Sequence, residues 1–238
     1  MTFTNDYSKL AGKYSKSPIK GTGYLAFRDL PALLLSNNNN KVPEKVLDFG
    51  CGAGRSSRFI KELGIPEVSG VDKSSDMISF AKKQDDGCNY LHISNNTIPF
   101  EDNYFDCVVS TFVMLEISSE SEMLEIFKEI YRVLKPNGSF VFVTNSEYLY
   151  NMDWISNSTE YPKTQEFKDG DKLKIYLKNI DQELYDYYWS DKKYRELLIK
   201  ANYKSIYNHL PVGEVNEPYE WEDELYYPPF SVYSVFKY

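Results

Sequence analysis

Two patterns alternate along the chain: short apolar runs that suit buried strands, and segments whose apolar residues return every three or four positions, as on one helix face. Val46 to Phe49 is apolar except for Asp48 and runs into three alternating glycines, Gly50, Gly52 and Gly54. Arg55 to Leu63 then carries a helical pattern, so the glycines form a tight strand-to-helix turn whose backbone is approachable. Glu67 to Val71 reads as a second strand ending in Asp72, and Ser74 to Lys83 as a helix with Met77, Ile78 and Ala81 on one face. Tyr90 to Ile93 is a third strand, and Phe105 to Thr111 a fourth, apolar enough to be covered on both sides. Ser119 and Glu122 predict a capping box for a helix through Val133, with Met123, Ile126, Phe127 and Ile130 at helical spacing. Lys135 to Gly138 predicts a turn into a fifth strand, Ser139 to Thr144. Strands alternating with helices in this way predict a parallel sheet covered on both faces, its ligand at the carboxyl ends of the strands.

The flanks follow other rhythms. Residues 1–40 form an N-terminal helical cap: Tyr7 to Tyr14, then Gly21, Gly23 and a helical pattern through Leu25, Leu30, Leu33 and Leu34 that Pro31 kinks or divides. Asn37 to Asn40 is a polar connection into the first strand. After the fifth strand, residues 145–190 break the alternation, and Leu173 to Leu177 with Leu184 to Trp189 reads as an antiparallel pair, an inserted lid. Within it Tyr185, Tyr187 and Trp189 share one face and Tyr188 takes the other, offering either a substrate wall or a core beneath the lid. A helix from Asp191 to Ala201 follows Ser190 as N-cap, with Asn202 suited to the left-handed position after it. Ser205 to Leu210 and Val232 to Lys237 are the last strands, and the 238 residues make one domain.

Charge narrows the partners. A formal net charge of -8 opposes nucleic acid and anionic membrane surfaces and suits a neutral or cationic small molecule. No signal-peptide pattern opens the chain, and no apolar run approaches the roughly 20 residues that span a bilayer. Cys51, Cys88 and Cys107 are too scattered for a disulfide framework or a metal site, which fits a reducing cytoplasm. The 21 tyrosines concentrate after residue 145 and supply packing area with polar tips.

The turn's chemistry excludes one common ligand. A dinucleotide site places pyrophosphate on a GxGxxG helix N-terminus, whereas the spacing here is GxGxG and Asp48, just before it, repels phosphate. The same carboxylate favours a cationic ligand, directly or through water. Asp72, at the end of the second strand, is placed to accept from both hydroxyls of a ribose.

Taken with Ile98-Pro99-Phe100, Phe105-Asp106 and Arg132-Val133-Leu134-Lys135-Pro136-Asn137-Gly138, these motifs resemble the class I S-adenosylmethionine-dependent methyltransferases, in the broad small-molecule group. The resemblance implies the Rossmann-like methyltransferase fold: α/β, doubly wound, a mostly parallel seven-stranded sheet with the last strand antiparallel and a small β lid after the fifth strand. It implies S-adenosylmethionine bound by Tyr14, Asp48, Gly50, Cys51, Gly52, Gly54 and Asp72, with Lys73 and Met77 beside the adenine. Ser94 and Asn95 stand near the adenine's amino edge, where relatives often carry an acid, and Thr111 and Phe112 near the methionine portion. For an acceptor that needs a base, His209 and Glu116 are the candidates, while an amine arriving deprotonated needs none. His92 has no chemical task. Tyr185, Tyr187, Tyr188 and Trp189 are the candidate substrate wall, and Trp221 with Glu222 and Glu224 either closes the pocket or covers the sheet. Tyr226 to Phe230 resembles the Pro-Pro motif of adenine-amino methyltransferases but lies before the last strand, not after the fourth. The expected activity is methyl transfer to a nitrogen or oxygen of a small molecule. A protein or RNA methyltransferase and a non-catalytic cofactor-binding interaction protein are the alternatives.

Overall fold

A computed structural model describes Asn5, residues 18–85 and residues 87–238. The strands β1 (Lys45–Phe49), β2 (Glu67–Asp72), β3 (Asn89–His92), β4 (Phe105–Thr111), β5 (Leu134–Asn145), β9 (Ile206–His209) and β10 (Phe230–Phe236) form one seven-stranded sheet. Its order is β3-β2-β1-β4-β5-β10-β9, with β10 antiparallel to both neighbours. The last strand is thus inserted between β5 and β9, and β9 takes the edge. The Lys135–Gly138 run, read as a turn, belongs to β5: Asn137 N donates to Lys237 O and Lys237 N to Gly138 O, so the backbone stays paired through a register shift opposite Phe105 and Cys107.

Alternation along the strands separates two cores. On one face Phe140, Phe142, Val108 and Leu47 meet α5 (Glu120–Val133) and α6 (Asp191–Lys200) through Phe127, Ile130, Tyr194 and Leu197. On the other, Val141, Val143, Val109 and Val46 meet α1 (Thr22–Arg28), α2 (Leu30–Asn37) and α3 (Arg55–Glu62) through Phe27, Leu30, Leu34 and Ile60. The cap helix is divided at Asp29, and Pro31 falls in the first turn of α2, where a missing N–H costs nothing.

Caps set the helix starts. Ser74 Oγ accepts from Met77 N at the head of α4 (Ser75–Gln84), and Ser190 Oγ from Lys193 N at the head of α6. Ser119 Oγ accepts from Glu122 N at 3.4 Å, but the Glu122 carboxylate takes Lys73 Nζ at 2.9 Å. Half of the predicted capping box therefore forms, its acid committed to an ion pair. Residues past β5 build a second, three-stranded antiparallel sheet: β6 (Asn157–Ser158), β7 (Lys172–Leu177) and β8 (Gln182–Tyr187). Among the described residues no helix is long and apolar enough to cross a membrane.

Candidate active site

The glycine turn is shaped by close approach. Gly50 has φ 74°, and a Cβ there would lie 2.2 Å from Val113 Cγ2, so the loop after β4 closes onto bare backbone. Gly52 has φ 52° and open space where a Cβ would point, leaving that side of the turn accessible. The amides of Gly50 and Cys51 both donate to Val71 O, at 2.8 and 3.0 Å, which pins the turn to the end of β2. The Cys51 side chain packs with Ile78, Ala81 and Tyr90, and Gly54 caps α3 in the left-handed region.

Two acids flank the turn. Asp48 is fully buried; its Oδ2 accepts from the hydroxyls of Ser56 and Ser57, both at 2.6 Å, and its Oδ1 has no partner among the described residues. Burial pushes this carboxyl up to about 6, against the pull of the two serines and with a further push from the charge on Asp72. Asp72 accepts from Gly52 N through Oδ2 at 2.8 Å and from Ser74 N through Oδ1 at 2.7 Å. Burial raises its carboxyl as well, opposed by those two amides. A buried carboxylate oxygen without a partner is costly, so Asp48 Oδ1 fits a ligand donor, ideally a cationic one. The free lone pairs of Asp72 suit hydroxyl donors.

The neighbouring predicted residues divide. Lys73 pairs with Glu122, and Met77 is buried against Ala53. Ser94 and Asn95 are exposed, with Asn95 Oδ1 accepting from Thr97 N at 2.9 Å. The next residue, Asn96, donates through Nδ2 to Glu122 at 3.4 Å, and its buried Oδ1 has no partner among the described residues. Thr111 ends β4, and Phe112 follows at φ 62°, a region that costs an aromatic residue about 1–3 kcal/mol. Its N–H donates to Val143 O, and its ring meets Phe230 edge-on at 5.2 Å. Tyr14 lies outside the described residues.

A cavity of about 110 Å³ opens beside Phe112. Its walls come from α1 (Phe27), the start of α3 (Arg55), the loop after β4 (Leu115, Glu116), the end of β5 (Asn145), the inserted sheet (Ile175, Leu184, Asp186) and β10 (Phe230). Asp186 sits on the inward face of β8, fully buried, with Oδ2 accepting from Asn145 Nδ2 at 2.8 Å and Tyr150 Oη at 3.3 Å. Burial and then the negative charge of Glu116 push its carboxyl up to about 8, although Asn145 and Tyr150 favour the charged form. Asn5 Nδ2 donates to Glu116 Oε1 and to Tyr185 O, both at 2.9 Å, tying the post-β4 loop to the inserted sheet.

The proposed substrate wall has other neighbours. Tyr185 and Tyr187 share the face of β8 opposite Asp186, so Tyr185 is exposed and Tyr187 packs toward the α5 side of the core. Tyr188 packs with Tyr150 and Phe167. Trp189 lies beyond β8, donates to Ile117 O at 2.8 Å and borders a second cavity of about 260 Å³ with Asp191 and Tyr194. None of the four lines the Phe112 cavity. His209 does not line it either: on edge strand β9, its Nε2 lies 2.7 Å from Asp29 Oδ2, which Arg28 also engages. Glu116 does. His92 Nε2 meets Lys73 O at 3.1 Å on the surface. Asp186 had one sequence signal, an acid embedded in an aromatic strand. Only the direction of β8 shows that the acid, not the tyrosines, points inward.

Comparison with known proteins places this geometry. Residues 47–142 match the family described as a methyltransferase domain. N-demethylindolmycin N-methyltransferase of Streptomyces griseus is 28% identical over 214 residues, 87% of each chain. Malonyl-[acyl-carrier protein] O-methyltransferase of Buchnera aphidicola is 25% identical over 236 residues, 93% of this chain and 94% of that one. An S-adenosylmethionine-dependent methyltransferase structure from Clostridium acetobutylicum aligns with TM-score 0.64 at 17% identity, over 98% of this chain and 99% of that one, a likeness that carries the fold. The family match spans the strands that hold the glycine turn and both of its acids, so residues 47–142 carry a methyltransferase domain.

Proposed function

We propose that the acceptor is a small molecule, methylated at nitrogen or oxygen in the Phe112 cavity, with residues 145–190 as its lid and residues 1–40 as a cap. Size and position carry this reading: the cavity, about 110 Å³, lies at the carboxyl ends of β4 and β5 with β7 and β8 against it, a space on the scale of a small acceptor. Relatives named for N-methylation and for O-methylation support the range of acceptor atoms.

In this reading Asp48 Oδ1 takes the amino group at the methionine end of the cofactor, and Asp72 takes the ribose hydroxyls. Asn96, with Ser94 and Asn95, meets the adenine's amino edge, alongside Lys73 and Met77. The backbone of Gly50, Cys51, Gly52 and Gly54 lies beneath, with Tyr14, Thr111 and Phe112 completing the contact. When bound, S-adenosylmethionine supplies an electrophilic methyl group on a positively charged sulfur. The chain's part is to align the acceptor with that group and to exclude water, which Phe112, Leu115 and Phe230 do as an apolar wall. Glu116 is the candidate base within the cavity.

Calorimetry with S-adenosylhomocysteine tests the cofactor site. Asp72→Ala is expected to weaken binding by about tenfold or more, the loss of two hydrogen bonds to a charged group, and a folded protein that binds none overturns the assignment. Incubation with methyl-labelled cofactor and a size-fractionated cell extract tests the acceptor class. Label confined to protein or RNA rules out the small-molecule reading.

A further inference from the structure

We propose that the methyl acceptor is an amine and that Asp186, which lines the Phe112 cavity together with Glu116, receives its nitrogen; this rests on the small-molecule reading above. Asp186 is 4% exposed and lines the cavity from the lid side. Both of its hydrogen bonds, from Asn145 and Tyr150, reach Oδ2, so among the described residues Oδ1 accepts none and remains for a ligand donor. Glu116 lines the same cavity from the loop after β4, and its charge raises the Asp186 carboxyl.

An ammonium group offsets the charge of Glu116 and of Asp186 once it ionises, and pairs the open oxygen. A neutral hydroxyl brings no such charge, and a carboxylate acceptor adds a negative one. Other charged and titratable groups also stand around Asp186 and the cavity. Arg55 lies over the Phe27 ring at 5.6 Å, Lys20 borders the cavity from the cap, and Tyr150 and Tyr194 are buried phenols held neutral by burial.

Proton accounting also favours nitrogen. With its carboxyl near 8, Asp186 is mostly neutral in the free enzyme at pH 7, and seating an ammonium releases that proton to solvent. The carboxylate then takes one proton from the ammonium, which exposes the nitrogen lone pair. The nitrogen–carbon bond forms as the carbon–sulfur bond breaks, its electron pair remaining on sulfur. The product leaves as a methylated ammonium, Asp186 is again protonated, and one proton has been released per turnover. An aliphatic hydroxyl, far less acidic than an ammonium, does not yield its proton to such a group.

The test uses protein saturated with S-adenosylhomocysteine and a matched probe set: benzylamine, benzyl alcohol and benzoate. Calorimetry is expected to show benzylamine at least about tenfold tighter than the alcohol, with affinity rising from pH 6 to pH 8 as proton release becomes easier. Asp186→Asn is expected to abolish that preference and its pH dependence. S-adenosylhomocysteine affinity serves as the fold control, and Glu116→Gln is a second variant, expected to lower the preference. Methyl transfer from labelled cofactor across the same classes gives the independent readout. Tighter binding or faster transfer with the alcohol or carboxylate, or an unchanged preference in Asp186→Asn, overturns the inference while leaving small-molecule transfer standing. If no small molecule is labelled and macromolecules are, both fall together.

Discussion

At the scale of single residues, the site is marked by polar groups that the fold leaves in unfavourable settings. Asp48 is the sharpest case, because burial raises its carboxyl to about 6 while the unfolded chain titrates it near 4. Between those values the native state holds a proton that the unfolded state has lost, so stability falls as pH rises through the interval and stays lower above it. Asp48→Asn removes this penalty. Urea denaturation without cofactor should find the variant little changed at pH 4 and more stable than the parent by about 1–3 kcal/mol at pH 7.5. The same variant should lose affinity for S-adenosylhomocysteine, since a site tuned for a ligand is commonly stabilised when its function is removed. Asp48 and Asp72 were legible in the sequence because both follow from position relative to a strand end. Asn96 and Asp186 were not, since burial and inward direction decide them.

At the scale of elements, local chemistry set most boundaries. Ser74, Ser119 and Ser190 stand where hydroxyls satisfy the first free amides of α4, α5 and α6. Ser190→Ala should cost about 1 kcal/mol in thermal or denaturant unfolding and leave S-adenosylhomocysteine binding unchanged, because α6 lies outside the proposed cofactor contacts. A large loss of cofactor affinity would show instead that α6 positions the site. The start of β5 combines both characters: Pro136-Asn137-Gly138 bulges between Leu134, opposite Phe105, and Ser139, opposite Cys107, with Asn137 at φ 64°, and two backbone bonds to Lys237 keep it with the sheet. In β8 the period of two separated the side chains into the right sets, but left open which set faces inward.

At the scale of the whole molecule, Glu224 ties distant segments together. Its fully buried carboxylate accepts from Thr22 Oγ1 at 2.7 Å, from Ile155 N at 3.0 Å and from Glu222 N at 3.0 Å. The cap, the inserted segment and the loop before β10 therefore share one acceptor. Glu224→Ala leaves three donors without it and should destabilise the fold by about 3 kcal/mol or more. Limited proteolysis should cut residues 146–190 faster in the variant. Unfolding and cleavage matching the parent would show that α1 and the inserted segment are held by apolar packing alone.

The sequence by itself determined the strand–helix alternation, the glycine turn, the two acids that flank it and the likeness to methyltransferases, because each depends on neighbours in the chain or on fixed offsets from a strand end. Tertiary structure alone decided that β10 enters between β5 and β9, that His209 binds Asp29 away from the cavity, and that β8 turns Asp186 inward. Those outcomes rest on contacts between residues distant in sequence, where burial and electrostatics act on groups whose local patterns are compatible with either face. The glycine turn and its two acids were therefore readable from the chain, and the inward carboxylate of β8 was not.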